Sequence, residues 1–166
     1  MRLFVAVRFS PEIKAALLAA IDGLRRQSAG NFTHPENLHL TLAFIGESGR
    51  VAEAKAALTA VAAAPFDLTV GGAGRFGDLR WAGIDHNPAL SALAGSVRNE
   101  LHKRGIGFDP KPFKAHITLA REVLSKDINI DVPPKTMTVS RISLMRSDRI
   151  DGKLTYTEVF GKTLFI

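Results

Sequence analysis

Two stretches of the chain, "ENLHLTLAFIGE" and "KPFKAHITLARE", carry the same His-x-Thr-Leu pattern, and a shift of 77 residues (116 minus 39) lays one on the other. The shift aligns far more than the motif. Phe4 in "RLFVAV" falls on Trp81 in "LRWAGI", and Pro11 falls on Pro88. Each copy is a short β-branched or aromatic run followed by a proline turn, the pattern of a strand passing into a helix N-terminus. Apolar positions then recur at helical spacing: Ile13, Ala16, Leu17, Ala20 and Leu24 meet Leu90, Leu93, Ala94, Val97 and Leu101. That is one face of a 3.6-residue period in each copy. Strand, helix and His-x-Thr strand occur twice without an inserted residue, which reads as an internal duplication and confines the chain to folds with two similar parts.

The remainder fits that frame. "VAEAKAALTAVAAA" has alanine-rich helix propensity, and "FDLTV" and "LRWAGI" read as strands flanking a glycine-rich connection. The tail from Lys135 alternates in strand fashion about an Asp-Gly turn, and stretches 107–114 and 131–135 read as proline-bearing loops. The expected architecture is α+β: one domain, 1–166, of two lobes, with sequence halves of about 1–77 and 78–166. Each lobe is a small antiparallel sheet covered by helices on its outer face, and an approximate twofold leaves a central cleft.

At 166 residues and 46% hydrophobic, the chain can bury a core of its own, and without cysteine it can have no disulfide, thiolate metal site or cysteine nucleophile. In the opening "MRLFVAVRF" only five apolar residues stand between two arginines, too few for a signal-peptide core, and no later run approaches a membrane span. We expect a soluble, cytoplasmic monomer with no membrane contact. The net charge of +6 favours an anionic partner, although the basic residues are scattered.

The duplicated motif carries the chemistry. In a strand, alternate side chains share a face, so His39 and Thr41 point one way and Leu40 and Leu42 the other; the same separates His116 and Thr118 from Ile117 and Leu119. The apolar residues pack under helices, leaving an imidazole and a hydroxyl on the open face of each lobe. A twofold relation would bring the pairs to opposite sides of one cleft. Displacement at phosphorus needs such a layout, because a base takes a proton from the attacking oxygen while an acid gives one to the leaving oxygen. An imidazole serves either role near neutral pH, and a threonine hydroxyl can hydrogen-bond non-bridging oxygens. This chemistry requires no metal and no cofactor.

At these residues the chain resembles the two-histidine phosphoesterases. "MRLFVAV", "ENLHLTLAFIGE", "GRFGDLRWAGI", "FKAHITLAR" and Tyr156 make it similar to the bacterial and archaeal RNA 2′,3′-cyclic phosphodiesterase branch, historically called 2′-5′ RNA ligases. The resemblance implies a bilobal fold with both motifs on facing central strands. It implies hydrolysis of an RNA terminal 2′,3′-cyclic phosphate to a 2′-phosphate, with reversible 2′-5′ joining in some members. By the same resemblance His39 would be the proton donor and His116 the acceptor, with Thr41 and Thr118 on phosphate oxygens. Arg121 would contact the anion, although ideal alternation from Thr118 turns it away from the cleft unless a bulge turns it back. Tyr156 would lie near the site. Two alternatives stand beside this reading: an RNA-end binding module without turnover, and a phosphodiesterase of small cyclic nucleotides.

Other signals carry less. "GAGRFG" matches a dinucleotide-binding fingerprint, but another strand follows it where a helix N-terminus is needed. The remaining histidines lack metal-ligand spacing. Arg25, Arg26, Lys103 and Arg104 complement helix ends, while Arg146 and Arg149 are candidates for a groove that holds RNA phosphates.

Overall fold

The structure is a computed structural model and describes residues 1–165. Strand β1 (Arg2–Arg8) leads into helix α1 (Pro11–Gln27), and strand β5 (Leu79–Ile84) leads into helix α3 (Pro88–Lys103). Both helices start by the same device. Ser10 Oγ accepts from Ile13 N and Asn87 Oδ1 accepts from Leu90 N, each with proline following the cap. A side-chain cap satisfies an orphan donor of the first turn and is worth about 1 kcal/mol. The motif strands are β3 (His39–Glu47) and β6 (His116–Arg121). The other elements are β2 (Asn31–Phe32), α2 (Val51–Ala60), β4 (Phe66–Phe76), β7 (Lys135–Val139), β8 (Arg141–Ile150) and β9 (Lys153–Thr163).

The strands form two antiparallel sheets, ordered β3-β1-β8-β9 and β2-β6-β5-β4-β7. In each sheet a motif strand pairs with the opening strand of its own repeat. The lobes are not continuous halves of the sequence: β8 and β9 complete the first sheet, while β2 and β4 join the second. The helices interlock as well. α1, which follows β1 of the first sheet, packs against β6 and β7 of the second; α3, which follows β5 of the second, packs against β3 of the first and against α2. One continuous core results, running from Leu3 and Val5 through Leu17 and Leu93 to Leu68 and Leu119. Each fully buried Leu or Val stabilises the fold by about 1.5–3 kcal/mol, so the lobes cannot part without exposing shared apolar surface.

Two expectations are corrected. The glycine-rich stretch is no connection, because β4 runs through it to Phe76 and turns only at Gly77, whose φ is +59°. Its glycines serve the packing instead: a Cβ at Gly74 would overlap the Trp81 ring. On α1 the buried face takes in Ile21 while Ala16 is only half-buried. The Asp-Gly turn between β8 and β9 is as expected, with Asp151 at φ 52° and Gly152 at φ 75°, the paired positive angles of a type I′ hairpin.

Candidate active site

β3 and β6 meet where the two sheets approach each other. A cleft of about 960 Å³ opens over them, and His39, Thr41, His116, Thr118, Arg121 and Tyr156 all line it. Arg121 reaches the cleft through an irregularity in β6. Trp81 pairs with Thr118 and Arg80 with Ala120, so Leu119 is an extra, unpaired residue. One extra residue reverses the alternation beyond it: Leu119 and Ala120 are both buried, and Arg121 returns to the side of His116 and Thr118. β3 has its bulge at the matching place. Val5 pairs with Ala43 and Ala6 with Thr41, leaving Leu42 extra and Phe44 on the cleft face where β6 has Arg121. The partner strands do not keep the repeat's register. Arg8 lies opposite His39 but Gly83, the counterpart of Ala6, lies opposite His116. A slip of two residues preserves which side chains face the cleft.

The imidazoles are held alike. His39 Nδ1 lies 2.7 Å from the carbonyl oxygen of Asn37, and His116 Nδ1 lies 2.7 Å from that of Lys114, in each case two residues earlier. A carbonyl only accepts, so each Nδ1 carries the proton and Nε2 is the nitrogen left for chemistry. Beyond that the two differ. His39 Nε2 is 2.8 Å from Thr41 Oγ1 and accepts from that hydroxyl in its neutral form. Among the described residues no side chain hydrogen-bonds His116 Nε2. The His39 ring packs against Phe4 at 4.9 Å and edge-on against Tyr156 at 5.2 Å, whereas among the described residues the one aromatic ring against His116 is that of Phe76, edge-on at 5.3 Å.

Burial pushes the His39 imidazolium below the ordinary histidine range, and the positive charges of Arg121 and His116 push the same way; the Asn37 carbonyl opposes them. The Tyr156 phenol is pushed up by burial, against the pull of Arg121 and Arg2. Among the described residues no three His, Cys, Asp or Glu side chains gather as a metal site, and no helix is long and apolar enough to cross a membrane.

The model of the 2′-5′ RNA ligase superfamily matches residues 10–151. The chain belongs to that superfamily. An Archaeoglobus fulgidus protein named RNA 2′,3′-cyclic phosphodiesterase is 38% identical over 128 residues, 73% of this chain and 72% of that protein. A Thermotoga maritima protein of the same name is 33% identical over 165 residues, 89% of this chain and 87% of its own length. The crystal structure of E. coli LigT complexed with 3′-AMP superimposes with a TM-score of 0.83 at 26% identity, covering 98% of this chain and 96% of that one.

Within this superfamily member, several cleft residues escape a reading of the motifs. Arg2 lies on the Phe44 ring at 5.1 Å, so an aromatic and a cation occupy the first sheet where the second has Arg121. Arg98 stands behind the site. Its Nε donates to the Leu42 carbonyl at 3.1 Å and its Nη1 to the Lys111 carbonyl at 2.8 Å, tying the β3 bulge to the loop that leads into His116. The matching carbonyl of Leu119 is satisfied otherwise, by the backbone N–H of Thr33 at 3.0 Å. The sequence held a signal for Arg98, since it stands 77 residues after Ile21 and sets a charge against a buried apolar position of the repeat.

Proposed function

We propose that this chain is an RNA 2′,3′-cyclic phosphodiesterase that opens a terminal 2′,3′-cyclic phosphate to a 2′-phosphate by two-histidine acid-base catalysis. One observation carries the reading: two imidazoles, each fixed through Nδ1 by the carbonyl two residues before it, line one cleft together with the two threonines of the same repeat. The names of the relatives support it.

In this reaction water attacks phosphorus and the bond from phosphorus to the 3′-oxygen breaks. His116 takes the water proton at Nε2, and His39 gives a proton from its Nε2 to the departing 3′-oxygen. Thr41 and Thr118 hold the non-bridging oxygens, and Arg121 balances their charge. The depressed basicity of His39 bears on its role. At about pH 7, above the ordinary imidazole range, a ring so depressed favours its neutral form, so a donor at this position gains its proton as the anionic phosphate enters, and Thr41 then turns its hydroxyl from the ring to a phosphate oxygen. Each acid or base contribution is worth roughly 10²- to 10⁴-fold. A 2′-oxygen is needed to close the ring, so RNA and not DNA is the substrate.

Product analysis on a short RNA ending in a 2′,3′-cyclic phosphate, with and without EDTA, tests the proposal. A 2′-phosphate product formed equally in both is expected. A 3′-phosphate product would overturn the donor geometry, and loss of turnover in EDTA would overturn the metal-free mechanism.

A further inference from the structure

The cleft extends past the two histidines to the tip of the β8–β9 hairpin, where Arg149, Gly152, Lys153 and Leu154 line it. The charges there are not equivalent. Lys153 Nζ pairs with Glu36 at 3.0 Å, and Arg146 Nε pairs with Asp148 at 2.6 Å. Arg149 is left over. Among the described residues its one hydrogen bond runs from Nη1 to the Gly152 carbonyl at 3.2 Å, and no carboxylate pairs with it. Glu36 and Asp148 are engaged elsewhere, and Asp151 in the turn lies outside ion-pair distance of Arg149, so most donors of this guanidinium are free.

Its distance from the chemistry follows from the strand register. Ser147 pairs with Tyr156, whose ring edge rests on His39, and Arg149 pairs with Leu154. Arg149 therefore stands two residues, about 7 Å at a rise of about 3.4 Å per residue, along β8 from the rung beside His39. Side chains two apart share a face, and Ser147 and Arg149 both line the cleft. That spacing is of the order of one nucleotide step. Arg121 and the threonines surround the position of the terminal phosphate, so a second free guanidinium one step away matches the next phosphodiester of the strand.

Resting on the phosphodiesterase reading above, we propose that Arg149 forms a subsite for the phosphodiester immediately 5′ of the terminal nucleotide. The enzyme then discriminates by chain length, favouring a cyclic-phosphate oligonucleotide over a nucleoside 2′,3′-cyclic phosphate. The type I′ turn that holds the Gly152 carbonyl under Nη1 aims the side chain. An arginine is suited to the task because its planar fork meets two phosphate oxygens at once.

The test compares kcat/KM for a dinucleotide ending in a 2′,3′-cyclic phosphate, the same dinucleotide with a neutral methylphosphonate linkage, and the mononucleoside 2′,3′-cyclic phosphate. For the unaltered enzyme, the methylphosphonate should cost about tenfold, the loss of one charge-assisted contact. Arg149→Ala should lose about tenfold on the natural dinucleotide, little on the mononucleoside, and nothing further on the methylphosphonate. Equal losses on all three substrates, or none on the dinucleotide, would overturn the subsite. The methylphosphonate arm uses the unaltered protein and is independent of how the variant folds. Absence of turnover of every cyclic phosphate by the unaltered protein would instead sink the activity itself.

Discussion

β3 and β6 carry one sequence pattern and share a bulge at matching places, yet their surroundings differ at most contacts beyond the motif. His39 sits between Phe4 and Tyr156 with Thr41 on its Nε2, while among the described residues His116 has one aromatic neighbour, the edge of Phe76, and no partner on its Nε2. Beyond the bulge β3 presents Phe44 and β6 presents Arg121. The matching strands turn two imidazoles inward; their neighbours set them apart, a half-buried ring packed between aromatics on one side and a more open one facing it. In the proposed in-line displacement one ring gains a proton as the other loses one, and two differently held imidazoles suit those two tasks.

The sharpest way to break the comparison is to remove either ring. His39→Ala and His116→Ala should each lower kcat by about 10²- to 10⁴-fold while retaining RNA binding; a near-normal rate for either, in a steady-state assay, would show that the two sides do not share the work. If His39 protonates only with substrate, the pH profile of kcat should place its apparent pKa higher than the profile of kcat/KM does. Coincident profiles would remove it as a substrate-coupled donor.

Next in size is the tie behind the bulge. Arg98→Met leaves the Leu42 carbonyl without its donor and frees the loop before His116, a cost of about 1–3 kcal/mol. Thermal unfolding should fall by about 2–4 °C per kcal/mol for a chain of this length, and kcat should fall with it. Ile21→Met, at the matching place of the other repeat, changes only packing and should cost below about 1.5 kcal/mol with kcat unchanged. Equal effects from the two would mean that Arg98 is ordinary packing.

Arg121→Met probes the charge. A nearby cation disfavours the imidazolium, so removing it should move the His39 pKa upward, and with it the limb of the kcat/KM profile that reports loss of the donor proton. Proton NMR titration of the ring reads the shift directly, and a downward movement would contradict the electrostatic coupling across the cleft. The smallest effect is expected from Tyr156→Phe. The ring edge on His39 survives, and the lost hydroxyl has no hydrogen-bond partner among the described residues, so kcat should stay within about threefold. A loss above tenfold would give the phenol a chemical role that its packing does not suggest.

The repeat made much of this readable in advance. The two helix starts, the paired strands, the Asp-Gly hairpin and the candidate residues of both motifs all follow from local spacing and capping. The glycine-rich run was misread because its glycines look like a connection when counted along the chain; their reason is Trp81, which lies over Gly74 from the neighbouring strand. Arg121 depended on an extra residue at Leu119 that ideal alternation does not contain. Arg98 was visible only as a charge out of place in the repeat, and its partners come from β3 and from the 107–114 loop.

Local spacing along the chain was enough to require that two copies of strand, helix and strand each turn an imidazole and a hydroxyl to one face, because periodicity and caps act within a few residues. That those faces share a cleft depends on long-range packing. α1 and α3 cross to the opposite sheet, β8 and β9 return to the first, and the bulges turn Phe44 and Arg121 inward. These outcomes rest on burying one common core and on satisfying particular carbonyls, and such long-range energies have no signature in any short window of the chain.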